Sequence, residues 1–103
     1  MKKTFPLHLP DQTDARVIAA IQVTLSKYVK RERRKALPPG AAGWNFQCRV
    51  GANAETARLC QLAEIAAGIE AAAVAEHPGV YVEILAEPRP KTAVPEGAEQ
   101  GRV

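Results

Sequence analysis

The chain has 103 residues, of which 47% are hydrophobic and 24% charged, and its net charge is +3. This length and composition predict one domain with one core, because single hydrophobic cores typically occupy about 100–150 residues. No apolar run approaches the roughly 18–20 residues of a membrane span, and the basic start lacks the apolar region of a signal peptide. We therefore expect a cytoplasmic protein with no membrane partner, in which two cysteines do not form a disulfide framework.

The charge is unevenly distributed along the chain. Residues 1–50 contain ten Lys and Arg against three acids, whereas residues 51–103 contain four against eight. Six of the basic residues and one acid fall within residues 27–35. A block of this kind either attracts a partner of opposite charge or keeps a surface solvated.

The first predicted element is a strand at residues 4–9, where apolar and polar side chains alternate. Pro6 cannot donate a hydrogen bond to a neighbouring strand, so we expect this strand at a sheet edge. A helix follows from residue 14 to about 35, with Thr13 or Asp14 as its N-cap. It has one apolar stripe and a basic back, and the Pro-Pro-Gly sequence at residues 38–40 ends it.

Glu32 is the unusual residue of this predicted helix, because it falls within the apolar stripe. A buried carboxylate needs a partner, and unpaired buried acids are rare. We therefore expect the helix to overrun the sheet here, which leaves Glu32 in water beside Arg33 or Lys35.

The second half of the chain predicts a strand, a helix and a strand. Residues 44–50 alternate, with Trp44, Phe46, Cys48 and Val50 on the core side. A long helix capped by Asn53 is predicted over residues 54–77, with one flank of small residues at Ala57, Gly68, Ala71 and Ala75. Residues 80–86 form the third strand, with Val80, Val82 and Ile84 on the side opposite Tyr81, Glu83 and Leu85.

These elements predict an α+β or small α/β domain over residues 1–87, a two-layer β-α-β-α-β sandwich. Its three-stranded sheet carries two helices on one face. Residues 88–103 are rich in Pro, Gly and charge and predict a disordered tail. Because the strands alternate, either the sheet is mixed or another subunit covers its second face.

Four segments are characteristic as a set: residues 2–7, residues 27–40, the motif Trp44-x-Phe46-x-Cys48-x-x-Gly51, and residues 81–86 ahead of Pro88. Over about residues 2–91 the chain resembles a family of short bacterial proteins catalogued only as a domain of unknown function. The resemblance implies a compact intracellular bacterial protein. It implies no activity, so no functional residue is carried over from it.

The basic stretch is one predicted site, with Lys27, Lys30, Arg31 and Arg34 on a shared helix face at i, i+3, i+4 and i+7 spacing. These cations favour contact with an anion or a nucleic acid. The alternative is a solvated helix back whose cations interact with the helix dipole. No aromatic residue is expected on that face to stack a base.

The second predicted site is the outer sheet face, the side of the sheet turned away from the helices. Its predicted members are His8, Asn45, Gln47, Arg49, Tyr81 and Glu83. If the strands are adjacent, Arg49, Tyr81 and Glu83 are neighbours. The alternatives are a solvated face, a homodimer surface, or a surface for single-stranded RNA.

No motif predicts catalytic, cofactor-binding or metal-binding residues: CxxC, HExxH and phosphate-binding glycine loops are missing from the sequence. The leading hypothesis is a non-enzymatic interaction protein. It would associate as a homodimer, or with another partner, through the outer sheet face or the small-residue helix flank. The alternative is weak nucleic-acid or polyanion binding through residues 27–35.

Overall fold

The structure is a computed structural model, and it describes residues 1–90. These residues form a mixed α+β domain, as predicted, with four strands where three were expected. The elements in chain order are β1 (Lys2–Pro6), α1 (Asp14–Arg33), β2 (Ala41–Gly51), β3 (Arg58–Cys60), a short 3-10 helix (Leu62–Glu64), α2 (Ile65–Val74) and β4 (Gly79–Pro90).

The sheet has the strand order β1-β4-β2-β3, and every neighbouring pair is antiparallel. The sheet is therefore not mixed. An antiparallel sheet is commonly packed on one face and solvated on the other, so polar alternation requires no second protein layer. The first strand lies at the edge, as Pro6 predicted, and it ends at Pro6 rather than at residue 9.

Both helices pack on the same face of the sheet, as predicted. The sheet contributes Phe5, Cys48, Val80, Val82 and Ile84 to the core. The helices contribute Val17, Ile21, Leu25 and Val29 from α1, and Ile65, Ile69, Ala72 and Ala73 from α2. Burial of each large aliphatic side chain stabilises the fold by about 1.5–3 kcal/mol, so this layer holds the two helices in place.

Helix α1 begins and ends close to the predicted positions. The Thr13 hydroxyl accepts a hydrogen bond from the Arg16 amide at 3.3 Å, which makes Thr13 the N-cap. After Arg33 the chain passes through residues 38–40 and returns at once into β2. Gly40 has a φ of +84°, a conformation that glycine adopts without steric cost.

The predicted helix over residues 54–77 is wrong in its first eleven residues. Asn53 caps a single turn instead, since its side-chain oxygen accepts from the Thr56 amide at 2.9 Å. The chain then pairs with β2 as the short strand β3, and α2 begins only at Ile65. Helix-forming composition is a weak preference that long-range backbone pairing overrides.

The small-residue flank predicted for that helix is not formed. Ala57 lies outside the helix and is buried. Gly68 faces the sheet, because a Cβ built on it would lie 2.7 Å from the Val50 Cγ1 atom. The flank is therefore not available as a continuous partner surface.

Strand β4 is longer than predicted and pairs with β2 as far as Ala41, opposite Pro90. Residues 88–90, the beginning of the predicted tail, thus belong to the strand. The remainder of that tail, residues 91–103, lies outside the described residues. Together β2 and β4 form a two-stranded ribbon that continues beyond β1 and β3.

Candidate functional site

The last turns of α1 and the two residues after it carry six exposed cations within nine residues, here called the basic end of α1: Lys27, Lys30, Arg31, Arg33, Arg34 and Lys35. The four residues singled out from the sequence are all among them. Three of the six lie in the last turn of the helix, where cations interact favourably with the negative end of the helix dipole.

Glu32 is the acid within this cluster, and it is buried with 9% of its surface exposed. The expectation that Glu32 lies in water is therefore wrong. The expected contact with Lys35 is present, since the Lys35 Nζ atom lies 2.9 Å from the Glu32 carboxylate. Arg31 Nε is 4.0 Å away from the same oxygen. Within residues 1–90, Lys27, Lys30, Arg33 and Arg34 have no such ion pair.

Aromatic rings flank the basic end, although the sequence places none on the helix face of Lys27, Lys30, Arg31 and Arg34. The Arg31 guanidinium lies over the Tyr28 ring at 5.4 Å and that of Arg33 over the Phe46 ring at 5.3 Å, both within cation–π range. The Trp44 indole N–H donates to the Lys35 carbonyl oxygen at 3.2 Å. The C-terminus of α1 is therefore attached to the aromatic side of β2.

Trp44 and Phe46 face the helix layer, as predicted for the core side of β2, but both remain partly exposed. Further along the strand, Cys48 is completely buried on the same face. The difference arises because α1 ends where the ribbon of β2 and β4 continues. A groove of 370 Å³ lies between α1 and the start of α2, with Lys30 and Arg33 among its lining residues.

The outer sheet face brings together Arg49, Tyr81 and Glu83. Arg49 lies opposite Glu83 in the register of β2 and β4, and Lys2 lies opposite Glu83 on the other side. The Tyr81 hydroxyl donates to the Glu83 carboxylate at 2.8 Å. This hydrogen bond, with burial as a smaller cause, raises the pKa of Tyr81.

Arg49 also holds a loop against the sheet. Its Nη2 atom donates to the Ala57 carbonyl oxygen at 2.8 Å, while its buried Nε atom has no partner among the described residues. A Cβ on Gly51 would lie 2.6 Å from the Ala57 Cα atom, so the loop packs directly on the strand. Glu83 is thus engaged with the Tyr81 hydroxyl and Arg49 with the backbone.

The other predicted members of the outer sheet face are less closely grouped. Asn45 and Gln47 are exposed on β2 opposite Glu87 and Leu85. His8 is not on the face, because β1 ends at Pro6 and the His8 Nδ1 atom lies 3.0 Å from the Asp14 carboxylate at the start of α1. The prediction for His8 was wrong because it assumed that the first strand continues to residue 9.

Two further findings describe what residues 1–90 contain. No helix in this part of the chain has the length and apolar character needed to cross a membrane. Within the same residues, no group of three or more His, Cys, Asp and Glu side chains is arranged to hold a metal ion.

The fold and this site define a small α+β domain with a basic helix end beside partly exposed aromatic rings. The chain belongs to a family of unknown function, DUF6172, which it matches over residues 1–94. This match confirms the resemblance to a domain of unknown function seen in the sequence. No curated protein and no solved structure matches the chain.

The sequence interpretation missed Arg33 and the three aromatic residues of this site. A usable signal was present in the turn at residues 38–40. Because Pro-Pro-Gly returns the chain at once, the end of the helix and the beginning of the next strand must lie side by side. That proximity places Arg33 and Lys35 near Phe46 and Trp44.

Proposed function

We propose that this domain is a non-enzymatic binding module that holds a polyanion at the basic end of α1. The observation that supports the proposal is the exposure of six cations around one acid, which Lys35 already neutralises. A surface that only needed solvation would be served equally well by charges of mixed sign. The bacterial and cytoplasmic setting predicted from the sequence belongs to the same proposal.

The size of the cluster suits a chain of phosphates or sulfates. Lys27 and Arg34 are seven residues apart, which in an α-helix corresponds to a ridge of about 10 Å. Successive phosphates of one stacked nucleic-acid strand are about 3.4 Å apart along its axis, so roughly three would fit. Like charges one turn apart repel, and a bound polyanion relieves that repulsion.

The proposal is tested by measuring binding of a labelled oligonucleotide and of heparin over a range of salt concentrations. The logarithm of the affinity should fall with the logarithm of the salt concentration, with a slope near −0.9 per phosphate contacted. The double substitution Lys30→Glu and Arg34→Glu should reduce the affinity by about tenfold or more at low salt.

The matched control is the double substitution Arg16→Glu and Arg58→Glu, which changes the net charge equally at two exposed positions outside the cluster. It should leave most of the binding intact. Equal losses in the two double variants, or binding that does not respond to salt, would contradict the proposal.

A second candidate function is self-association through the outer sheet face, and one observation favours it. Leu59 stands opposite Arg49 on that face and is 67% exposed, and no helix of residues 1–90 covers this side of the sheet. Sedimentation at micromolar concentration tests this candidate. A dimer that Leu59→Glu dissociates supports it, and a monomer at every concentration rejects it.

A further inference from the structure

We infer that the polyanion is single-stranded nucleic acid, whose bases stack on Trp44 and Phe46 while its phosphates contact the basic end of α1. The contact between phosphates and cations rests on the proposed function. The stacking of bases depends on the two rings alone, which a sulfated or phosphorylated chain without bases cannot use.

The two rings are placed as neighbouring stacking positions. Residues two apart on a strand point to the same face, and their Cα atoms are about 6.6 Å apart. This spacing exceeds the roughly 3.4 Å between stacked bases and suits two nucleotides that have been pulled out of their stack. Both rings retain exposed surface where α1 ends.

Two contacts hold the rings beside the cations. The Trp44 indole N–H is bonded to the Lys35 carbonyl oxygen at 3.2 Å, which fixes the ring against the end of the helix. Arg33 lies over Phe46 at 5.3 Å, so one guanidinium is close to a ring and to the charged ridge at once. Arg guanidinium planes stack on bases as aromatic rings do.

This arrangement selects among polyanions by a physical criterion. Every unpaired base has an open π-face, so stacking tolerates any sequence. A duplex keeps those faces inside its own stack, and heparin has none. Single strands should therefore bind more tightly than a duplex of the same sequence, whereas charge alone would favour the duplex with its higher charge density.

The test compares four probes: single-stranded RNA, single-stranded DNA, a duplex of the same sequence, and heparin. Trp44 is the only tryptophan in the chain, so quenching of its fluorescence by single strands reports stacking directly. Trp44→Leu and Phe46→Leu should each weaken single-strand binding by about tenfold. Neither substitution should change heparin binding, and a cooperative urea transition in each variant shows that it remains folded. Trp44→Phe keeps an aromatic face and should retain most of the affinity.

The outcomes separate the two proposals. If heparin and single strands bind alike and the leucine variants bind as well as the parent, the inference fails and the proposed function stands. If no probe binds, both fail. A preference for RNA or for DNA identifies the kind of strand that the site accepts, whereas the stacking itself is judged on the leucine variants and on the quenching of Trp44.

A second inference rests on an independent observation, the pairing of the two cysteines. Cys48 and Cys60 lie directly opposite each other in the antiparallel register of β2 and β3, and both are free thiols. Directly opposed residues in such a pair have Cα atoms about 4.5–5.5 Å apart, within the range that disulfides span. We propose that these residues form a reversible cross-strand disulfide with a small-molecule disulfide as oxidant.

The reaction follows from the exposure of the two thiols. Cys60 is partly exposed, so its thiolate attacks the small disulfide first, forms a mixed disulfide and expels one thiolate. The buried Cys48 sulfur then attacks the Cys60 sulfur and expels the second thiolate. Two protein thiols are oxidised to one disulfide, one small disulfide is reduced to two thiols, and the two protons pass to the leaving thiolates.

Oxidised glutathione is the probe, and intact mass is the measurement. The parent should lose the mass of two hydrogen atoms without gaining an adduct, and dithiothreitol should restore it. Cys48→Ala should instead accumulate a glutathione adduct on Cys60, and Cys60→Ser should not react. A stable adduct on the parent, or a disulfide between two chains, would overturn the proposal.

Discussion

The basic end of α1 and the outer sheet face both carry charged side chains, and they arrange them in opposite ways. At the basic end, six exposed cations surround one acid, and that acid is bonded to Lys35. On the outer sheet face, Glu83 lies between Lys2 and Arg49 in register and accepts a hydrogen bond from Tyr81.

The difference teaches which charges remain available to a ligand. Glu83 accepts a hydrogen bond from Tyr81 and Arg49 donates to the Ala57 carbonyl oxygen, so these charged groups are bonded within the protein and also fix the loop after β2. Charges of one sign on a helix end cannot do this, so they retain an outward field. We therefore expect substitutions on the outer sheet face to change stability and substitutions at the basic end to change binding.

The largest effect should come from Gly51→Ala on the outer sheet face. The new Cβ would lie 2.6 Å from the Ala57 Cα atom, and backbone cannot move aside as a flexible side chain does. We expect the free energy of unfolding in urea to fall by about 3 kcal/mol. The control is Gly43→Ala, where the contact is with the end of the Arg89 side chain; equal costs at the two glycines would contradict the prediction.

A smaller loss of stability should follow Arg49→Met. The Ala57 carbonyl oxygen loses its donor, while removal of the partnerless Nε atom offsets part of the cost. We expect about 1 kcal/mol by urea unfolding and unchanged heparin binding. Asn45→Ala, at an exposed position of the same strand, is the control and should cost almost nothing. Weaker heparin binding in Arg49→Met would mean that the two regions are coupled.

Alkaline pH should also lower the stability of the sheet itself. Burial, with Cys60 as the smaller cause, raises the pKa of Cys48 from 9.0 to about 11, and the pKa values of Cys60 and Tyr81 are raised as well. The folded state therefore keeps protons that the unfolded state has released. Stability is full below pH 9.0 and declines as the pH rises towards about 11.

Urea midpoints measured across this pH interval check the sign. Cys48→Ala should start from a lower stability but show a flatter decline, and Tyr81→Phe should remove the contribution of the outer sheet face. Stability that rises over the interval would contradict the assignment of protonated groups to the folded state.

The smallest effect should come from Glu32→Gln at the basic end. The substitution removes the one acid of the cluster and releases Lys35, so we expect heparin affinity to rise roughly threefold. Stability should change by less than about 1 kcal/mol, because Lys35 remains exposed to water. Glu55→Gln makes the same charge change in the turn after β2. A matching gain there would show that only net charge matters.

Most of the fold was predictable because its signals are local. Alternation placed Val80, Val82 and Ile84 in the core. The apolar stripe, with a cap expected at Thr13 or Asp14, placed α1 within two residues of its observed end. The helix predicted from residue 54 failed because β3 depends on contact with β2. A local signal for the later start of α2 did exist in the pair Gln61 and Glu64, three residues apart. The Gln61 amide donates to the Glu64 carboxylate at 2.7 Å, as part of a capping box.

The candidate site was predictable only in its charged half. Lys27, Lys30, Arg31 and Arg34 share a helix face, which spacing alone determines. Whether Trp44 and Phe46 are buried depends on where α1 ends relative to the ribbon, a distance that no periodicity contains. The position of His8 was not predictable for the same reason, since it depends on where β1 stops pairing with β4.

The sequence by itself determined the α+β class, the helix with a basic back and the core face of the sheet, since each depends on side-chain periodicity within one element. Only the tertiary structure decided the strand order, the pairing of Cys48 with Cys60 and the exposure of the aromatic rings beside the cations. These features depend on backbone hydrogen bonds and packing between segments far apart in the chain, whose free energy exceeds local preference.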